Sequence, residues 1–262
     1  MTRPVFLAED LSCVPSSLAV GERATLGGSE GRHAASVRRI GAGEWVDVAD
    51  GRGLRLTCEV VGADKSSLSL VVREVVQEES PRPEIILVQA LAKGGRDEAA
   101  VEICTEIGID RVIPWASQRA IVQWRGPKAE KGRAKWEGVV RAAAKQSRRA
   151  YVPVVEAVTD SRELASWVRA LTDEAGAAFV CHEEATQSLG AALARVQGDA
   201  TDGFLPARVA LIVGPEGGIG PEETAQLVDA GARTVGLGAN VLRSSTAGAV
   251  ALTLIRAAAG AY

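Results

Sequence analysis

The sequence predicts an α/β protein in two parts: a small β-rich N-terminal domain and a larger domain built on a mostly parallel sheet. Three observations predict it. Residues 44–76, EWVDVADGRGLRLTCEVVGADKSSLSLVVREVV, alternate apolar and polar positions with period two and break at the turn-like Asp50-Gly51 and Ala63-Asp64-Lys65. From residue 85 onward, short apolar runs alternate with helical patterns to the end of the sequence, the signature of a sheet covered on both faces. Between the two regions QEESPRPE, residues 77–84, is polar and carries two prolines. It is the best linker, and it sets the domains at 1–76 and 77–262.

In the first domain ATLGG reads as a short apolar strand. SEGRHAASVRRI reads as one helix with Ser29 as its N-cap. The alternating run that follows predicts a small antiparallel barrel. In the second domain the strands are IILVQAL, DRVIPW, VPVVEAV, AAFVCHE, RVALIV and RTVGLG. Helices are expected over 96–107 with an end near Gly108, and over 133–149, 161–175, 187–196, 221–230 and 244–259. There is no internal repeat and no low-complexity tract.

Composition narrows the function classes. No apolar run reaches the roughly 18 residues that a membrane helix needs, and MTRPVFLAEDLS lacks the long apolar core of a signal peptide. A soluble cytoplasmic protein is expected. Cys13, Cys58, Cys104 and Cys181 are widely spaced, and with His33 and His182 they complete no metal-ligand spacing. Reduced, mostly buried thiols and no metal are expected. The formal net charge is −3, yet residues 111–150 hold 11 basic and 2 acidic residues, a local balance of +9. Trp115, Trp124 and Trp136 are interleaved with these cations. Cations hold phosphates and aromatic rings stack on bases, so the block reads as a nucleic-acid surface. The alternatives are a solvated face for the charges and core packing for the tryptophans.

Two glycine-bearing stretches carry the chemistry. GPEGGIGPEE, residues 214–223, follows the strand RVALIV and so sits at the C-terminal end of a parallel strand, where open α/β sheets bind ligands. Pro221 suits the first helical position, and Glu222 and Glu223 suit the positive end of the helix dipole. Those acids would repel a phosphate placed there. A Walker loop and a GxGxxG fingerprint are both absent. A cationic or neutral adenosine compound fits better than ATP or NAD. LGANVLRSSTAGAVALTLI, residues 237–255, also follows a strand and precedes an apolar helix, with Ser244, Ser245 and Thr246 as candidate caps. Small residues at 247–249 and 251 allow that helix a close approach. Two such loops at neighbouring strand ends are expected to build one pocket.

Together IVGPEGGIGPEE and LGANVLRSSTA resemble the C-terminal motifs of SPOUT methyltransferases, whose C-terminal chain threads a trefoil knot and binds S-adenosylmethionine. KGGRDEAAVEICTEIGIDRVIPWASQRAIVQW, KWEGVVRAAAKQSRRAYVPVV and, more loosely, RHAASVRRIGAGEWVDVADGRG resemble RsmE-type enzymes, the last matching their PUA-like N-terminal barrel. The resemblance covers nearly the whole chain. It implies a homodimer that methylates N3 of a uridine in small-subunit (16S) ribosomal RNA on the assembled particle. It departs at Ile103, Lys145 and Arg148, where the family commonly has Lys, an acid and Gly.

By this resemblance Val213, Gly214, Gly218, Leu237, Gly238 and Leu242 line the cofactor pocket, and Thr246 touches the cofactor or caps its helix. Arg243 stabilises the developing uridinate oxygen; the alternative is a salt bridge with Glu216 that locks the two loops. Glu216 is a general base or a support of its loop. His182 and Glu183 end the strand AAFVCHE and could reach the pocket mouth. For RNA, the candidates are Arg32, His33, Arg38 and Arg39 in the first domain, Lys93 and Arg96 after the first strand of the second, and Arg119, Arg125, Arg141, Gln146 and Arg149 in the basic block. A SPOUT ribose 2′-O-methyltransferase and a non-catalytic ribosome-assembly factor are the competing readings.

Overall fold

A computed structural model describes residues 3–200 and 203–262. The chain forms two compact units. One holds the chain up to Ser80 together with Arg141–Val152; the other holds Pro81–Val140 together with Pro153–Tyr262.

The first unit is a curled five-stranded sheet of β1 (Val5–Leu7), β2 (Arg23–Leu26), β3 (Trp45–Ala49), β4 (Leu54–Ala63) and β5 (Leu68–Gln77), in the order β1-β3-β4-β5-β2. Its long hairpin is the alternating run of the sequence. Leu56, Cys58 and Val60 face a core shared with Phe6, Leu26, Leu68, Leu70 and Val72. The Asp50 carboxylate shapes the first turn by accepting from the Arg52 and Leu54 N–H groups at 2.7 and 3.0 Å. Asp64 does the same at the second turn for Ser66 and Ser67, at 2.7 and 2.8 Å. Register shifts at Thr57/Cys58 and Val60/Gly62 bend β4, as bulges do.

The barrel expectation needs correcting in two respects. β1 pairs with β3 in parallel, so the sheet is mixed. It is also a half-barrel: among the described residues β1 and β2 do not pair, although Leu11, beyond β1, bridges to Leu26 of β2. The helix expected over 29–40 also differs. α1 (Gly28–Arg32) continues as a wider π-helical turn, His33–Val37, and Arg39 then takes a left-handed φ of 56°. Ser29 is not the N-cap. Gly27 holds that place without a side-chain bond, and Ser29 donates to the Asp10 carboxylate at 2.8 Å, which also accepts from the Glu30 N–H.

Arg141–Val152 joins this unit through specific bonds. Lys145 pairs with Glu30 at 2.5 Å and Arg141 pairs with Glu9. The Tyr151 hydroxyl donates to the Glu78 carbonyl at 2.9 Å, and the Val152 N–H to that of Gly51 at 3.0 Å. Arg148 takes a left-handed φ of 60°, a conformation that glycine adopts without steric cost.

In the second unit β6 (Glu84–Ala90), β7 (Arg111–Trp115), β8 (Val154–Val155), β9 (Ala177–Cys181), β10 (Arg208–Val213) and β11 (Arg233–Val235) form one parallel sheet, in the order β11-β9-β10-β6-β7-β8. The central strands are buried on both faces. VPVVEAV contributes only the two residues of β8. Helices α2 (Arg96–Ile107), α3 (Pro127–Gln146), α4 (Ser161–Asp173), α5 (Leu189–Asp199), α6 (Pro221–Asp229) and α7 (Ser244–Ala258) complete the alternation. Leu164 and Val168 of α4 and Leu227 of α6 pack on Ile86, Val88, Ala210 and Ile212. α7 packs against α2, β6 and β10 on the opposite face. There a Cβ at Gly248 would lie 3.2 Å from both Cys104 Sγ and Leu87 Cδ1.

Candidate active site

Because the strands are parallel, the loops after β6, β7, β9, β10 and β11 all leave the same edge of the sheet. The loop after β10 folds back on itself. A Cβ at Gly214 would meet Ile219 Cγ1 at 2.6 Å, and Gly218, at φ 70°, donates its N–H to the Pro215 carbonyl at 3.0 Å. This turn buries Ile219 and exposes Glu216 and Gly217. Its neighbour is the loop after β6. Arg96 Nη1 and the Lys93 N–H both donate to Glu216 Oε1, at 2.9 and 3.3 Å. Glu216 is therefore paired with Arg96, and the Arg243–Glu216 bridge, the alternative role for Arg243, is not formed. Partial burial alone would raise the Glu216 pKa. Its own N–H, the Arg96 guanidinium and the Lys93 N–H outweigh that and hold the carboxyl below its ordinary range.

A carboxylate held below its unfolded value contributes its stabilisation above that value and loses it as pH falls through the lowered one. The tie between the two loops should thus weaken on the acid side of the ordinary carboxylate range. Arg96→Gln is expected to move the Glu216 titration upward, as read by NMR of its side-chain carboxyl. An unmoved titration would show that the loop's backbone donors alone hold it.

The second stretch lies between β11 and α7. It is tied to the loop after β9 by the Gly236 N–H to the Gln187 carbonyl at 2.8 Å and by the Leu189 N–H to the Gly236 carbonyl at 3.0 Å. Beyond Gly236 the backbone is free: among the described residues, the N–H groups of Leu237, Gly238, Val241 and Leu242 make no hydrogen bond. Leu237 and Leu242 are half-buried and Gly238 stands open at φ 131°. An apolar wall with unused main-chain donors and acceptors suits an adenosine group. Val213, the last residue of β10, is buried against α7, its Cγ2 3.8 Å from where a Gly248 Cβ would be.

Capping of α7 differs from expectation. Arg243 is its N-cap, and its carbonyl accepts from the Thr246 and Ala247 N–H groups at 2.9 Å each. Among the described residues the Arg243 side chain makes no cap bond, and the buried Ser244 hydroxyl has no hydrogen-bond partner. The Arg243 side chain is exposed and pairs with no carboxylate among the described residues. At the end of β9 the His182 Nδ1 accepts from the Glu184 N–H at 3.2 Å, and Glu183 is exposed.

The basic block resolves into two populations. Trp115 and Trp136 are wholly buried, so they are core and cannot stack on bases. Trp124 packs edge-on against Trp136, ring centroids 5.1 Å apart. Arg111 pairs with Glu84 and Glu156, Arg133 with Glu137, and Lys135 with Glu98. Arg125, Lys128 and Lys131 are exposed. Arg119 is exposed and donates to the Gly217 carbonyl at 3.2 Å, which brings it to the loop after β10. In the first unit Arg32, Arg38 and Arg39 are exposed, and His33 packs edge-on against Phe6. Gln146 is exposed, Arg149 is half-buried and Arg141 is engaged by Glu9.

Glu223 was placed by sequence at the dipole end of α6. The structure buries it completely as the brace of that loop. The signal was present: a Glu three residues after an N-cap is the reciprocal half of a capping box, and here it accepts from the Gly220 N–H at 3.3 Å. Among the described residues no three His, Cys, Asp or Glu cluster as metal ligands, and no helix is long and apolar enough to cross a membrane. All four cysteines are free, and burial pushes the thiols of Cys58, Cys104 and Cys181 up to about 12.

The parallel sheet with two glycine loops on one edge and the curled half-barrel are the two domains of an RNA methyltransferase. Residues 78–256 match the RNA methyltransferase domain family and residues 26–73 the RNA methyltransferase PUA domain family. The chain is 42% identical over 232 residues to ribosomal RNA small subunit methyltransferase E of Mycobacterium bovis, covering 88% of this chain and 85% of that protein. It belongs to the ribosomal RNA small subunit methyltransferase E family. Two solved structures share the fold. The enzyme of that name from Neisseria gonorrhoeae, bound to S-adenosyl methionine, aligns at TM-score 0.80 and 24% identity over 98% of each chain. The putative methyltransferase Lpg2936 from Legionella pneumophila, in complex with the same cofactor, aligns at 0.77 and 24% over 98% of each.

Proposed function

We propose that this protein transfers a methyl group from S-adenosylmethionine to N3 of a uridine in 16S ribosomal RNA of the small subunit, acting as a cytoplasmic homodimer. The observation that carries the reading is the stretch 237–242, half-buried at its two leucines with its main chain unbonded, on the same sheet edge as the tied loop after β10. When bound, the cofactor supplies an electrophilic methyl on a sulfonium. Val213, Gly214, Gly218, Leu237, Gly238 and Leu242 would hold its adenosine, with Thr246 beside them. Arg243, exposed and without a carboxylate partner among the described residues, would meet the anionic oxygen that develops when N3 loses its proton. Glu216 serves as support of its loop: a carboxylate engaged by Arg96 and held below its ordinary range is a poor acceptor for a weakly acidic proton. The candidate RNA-contacting residues are Arg32, Arg38, Arg39, Arg141, Gln146 and Arg149 in the first unit, and Lys93, Arg119 and Arg125 in the second. The choice of N3 rests on the likeness of the KGGRDE and AAAKQSRR segments to RsmE-type enzymes.

The test is methyl transfer from labelled cofactor to small subunits from cells lacking this protein, followed by nucleoside mass analysis. N3-methyluridine is expected. A 2′-O-methyl nucleoside would replace this reading with the ribose alternative. Cofactor binding without transfer to any subunit preparation would favour a binding-only factor.

A further inference from the structure

Glu223 is fully buried, and a buried carboxylate is tolerated only when its oxygens are satisfied. Oε1 accepts from the Gln118 N–H at 2.8 Å and from the Ser161 hydroxyl in a short contact, and Oε2 accepts from the Gly220 N–H at 3.3 Å. Trp115 Nε1 donates to Ser161 Oγ at 3.1 Å, which turns the Ser161 proton toward Glu223. Trp115 belongs to the sheet core, so the brace is anchored on a rigid element. One carboxylate thus ties the segment after β7 to the loop after β10. Arg119 follows Gln118 directly. Its Nη1 donates to the Gly217 carbonyl at 3.2 Å, and its Nε lies 3.9 Å from where a Gly220 Cβ would be.

We propose that Glu223 is a positioning residue that holds Arg119 over the GPEGGIG loop, so that the cofactor loop and an RNA-facing cation are set as one unit. The part concerning RNA rests on the functional reading above. Glu is required because both oxygens accept. In Glu223→Gln the amide group would face one backbone donor with another donor.

Hydrogen exchange by mass spectrometry on the full chain tests the positioning without reference to activity. Glu223→Gln should speed exchange about tenfold in both 116–120 and 214–220, the scale of one charged hydrogen bond, while the rest of the sheet is unchanged. No change, or change in 214–220 alone, would overturn it. Should that variant not fold, Ser161→Ala serves: faster exchange in both peptides supports the proposal and in neither overturns it. A double-mutant cycle with Arg119→Gln then reads the KM for small subunits. Each single change should raise KM, and the double should raise it no further; multiplying effects would mean independent residues. A wild type that transfers no methyl would count against the functional reading alone, since the exchange result stands by itself.

Discussion

Arg243→Ala should lower single-turnover methyl transfer about 100- to 1,000-fold, the scale of removing one preorganised donor to a developing oxyanion. Cofactor binding and stability should stay close to wild type. The separation follows from how Arg243 is built in. Its structural work is done by the backbone, whose carbonyl accepts from the Thr246 and Ala247 N–H groups in the first turn of the final helix, and alanine keeps that carbonyl. Its side chain pairs with no carboxylate among the described residues, so truncation leaves no orphaned charge behind there. Calorimetry with S-adenosylhomocysteine beside the rate measurement separates the outcomes. An unchanged rate would remove Arg243 from the chemistry, and a matching loss of binding would make it a cofactor residue.

Gly31→Ala should destabilise the first unit by about 3 kcal/mol, at the upper end of overpacking costs. A Cβ there would lie 2.3 Å from the Leu26 carbonyl oxygen and 2.7 Å from that of Ser66. Both are backbone atoms, which cannot swing aside as a side chain would. α1 would have to lift off β2, and the buried contacts of Ala34 and Leu26 would loosen with it. A fall in melting temperature of about 10 °C is expected in thermal denaturation followed by circular dichroism. Gly138→Ala is the control: a Cβ there meets nothing within 4 Å, and a helix gains from the exchange. Equal behaviour of the two variants would refute the packing argument.

The legible parts of the sequence were those where local chemistry and tertiary environment agree. The long hairpin was readable because Leu56, Cys58 and Val60 of β4 and Leu68, Leu70 and Val72 of β5 alternate into its core, and because Asp50 and Asp64 form their turns with their own neighbours. The glycine loops were readable because each sits between a strand and a helix with clear periods. Other features depend on residues distant in sequence. Ser29 has the chemistry of an N-cap, yet Asp10, nineteen positions away, takes the bond. Trp115 and Trp136 have the spacing of stacking residues among cations, yet tertiary packing buries them. Arg96 is an ordinary first-turn cation until folding sets it 2.9 Å from Glu216, 120 positions on. Parallel pairing of β1 with β3 has no local signature at all.

The ion pairs of the basic segment bear on how a polyanion would meet it. Read along the chain, residues 111–150 carry +9. Glu84, Glu156, Glu98, Glu9 and Glu30, all from outside the segment, already neutralise part of it. Nine less these five leaves no more than about +4. An RNA strand approaching the segment would therefore displace few of its own condensed cations. Its affinity there would fall with salt along a slope set by at most about four phosphates rather than nine.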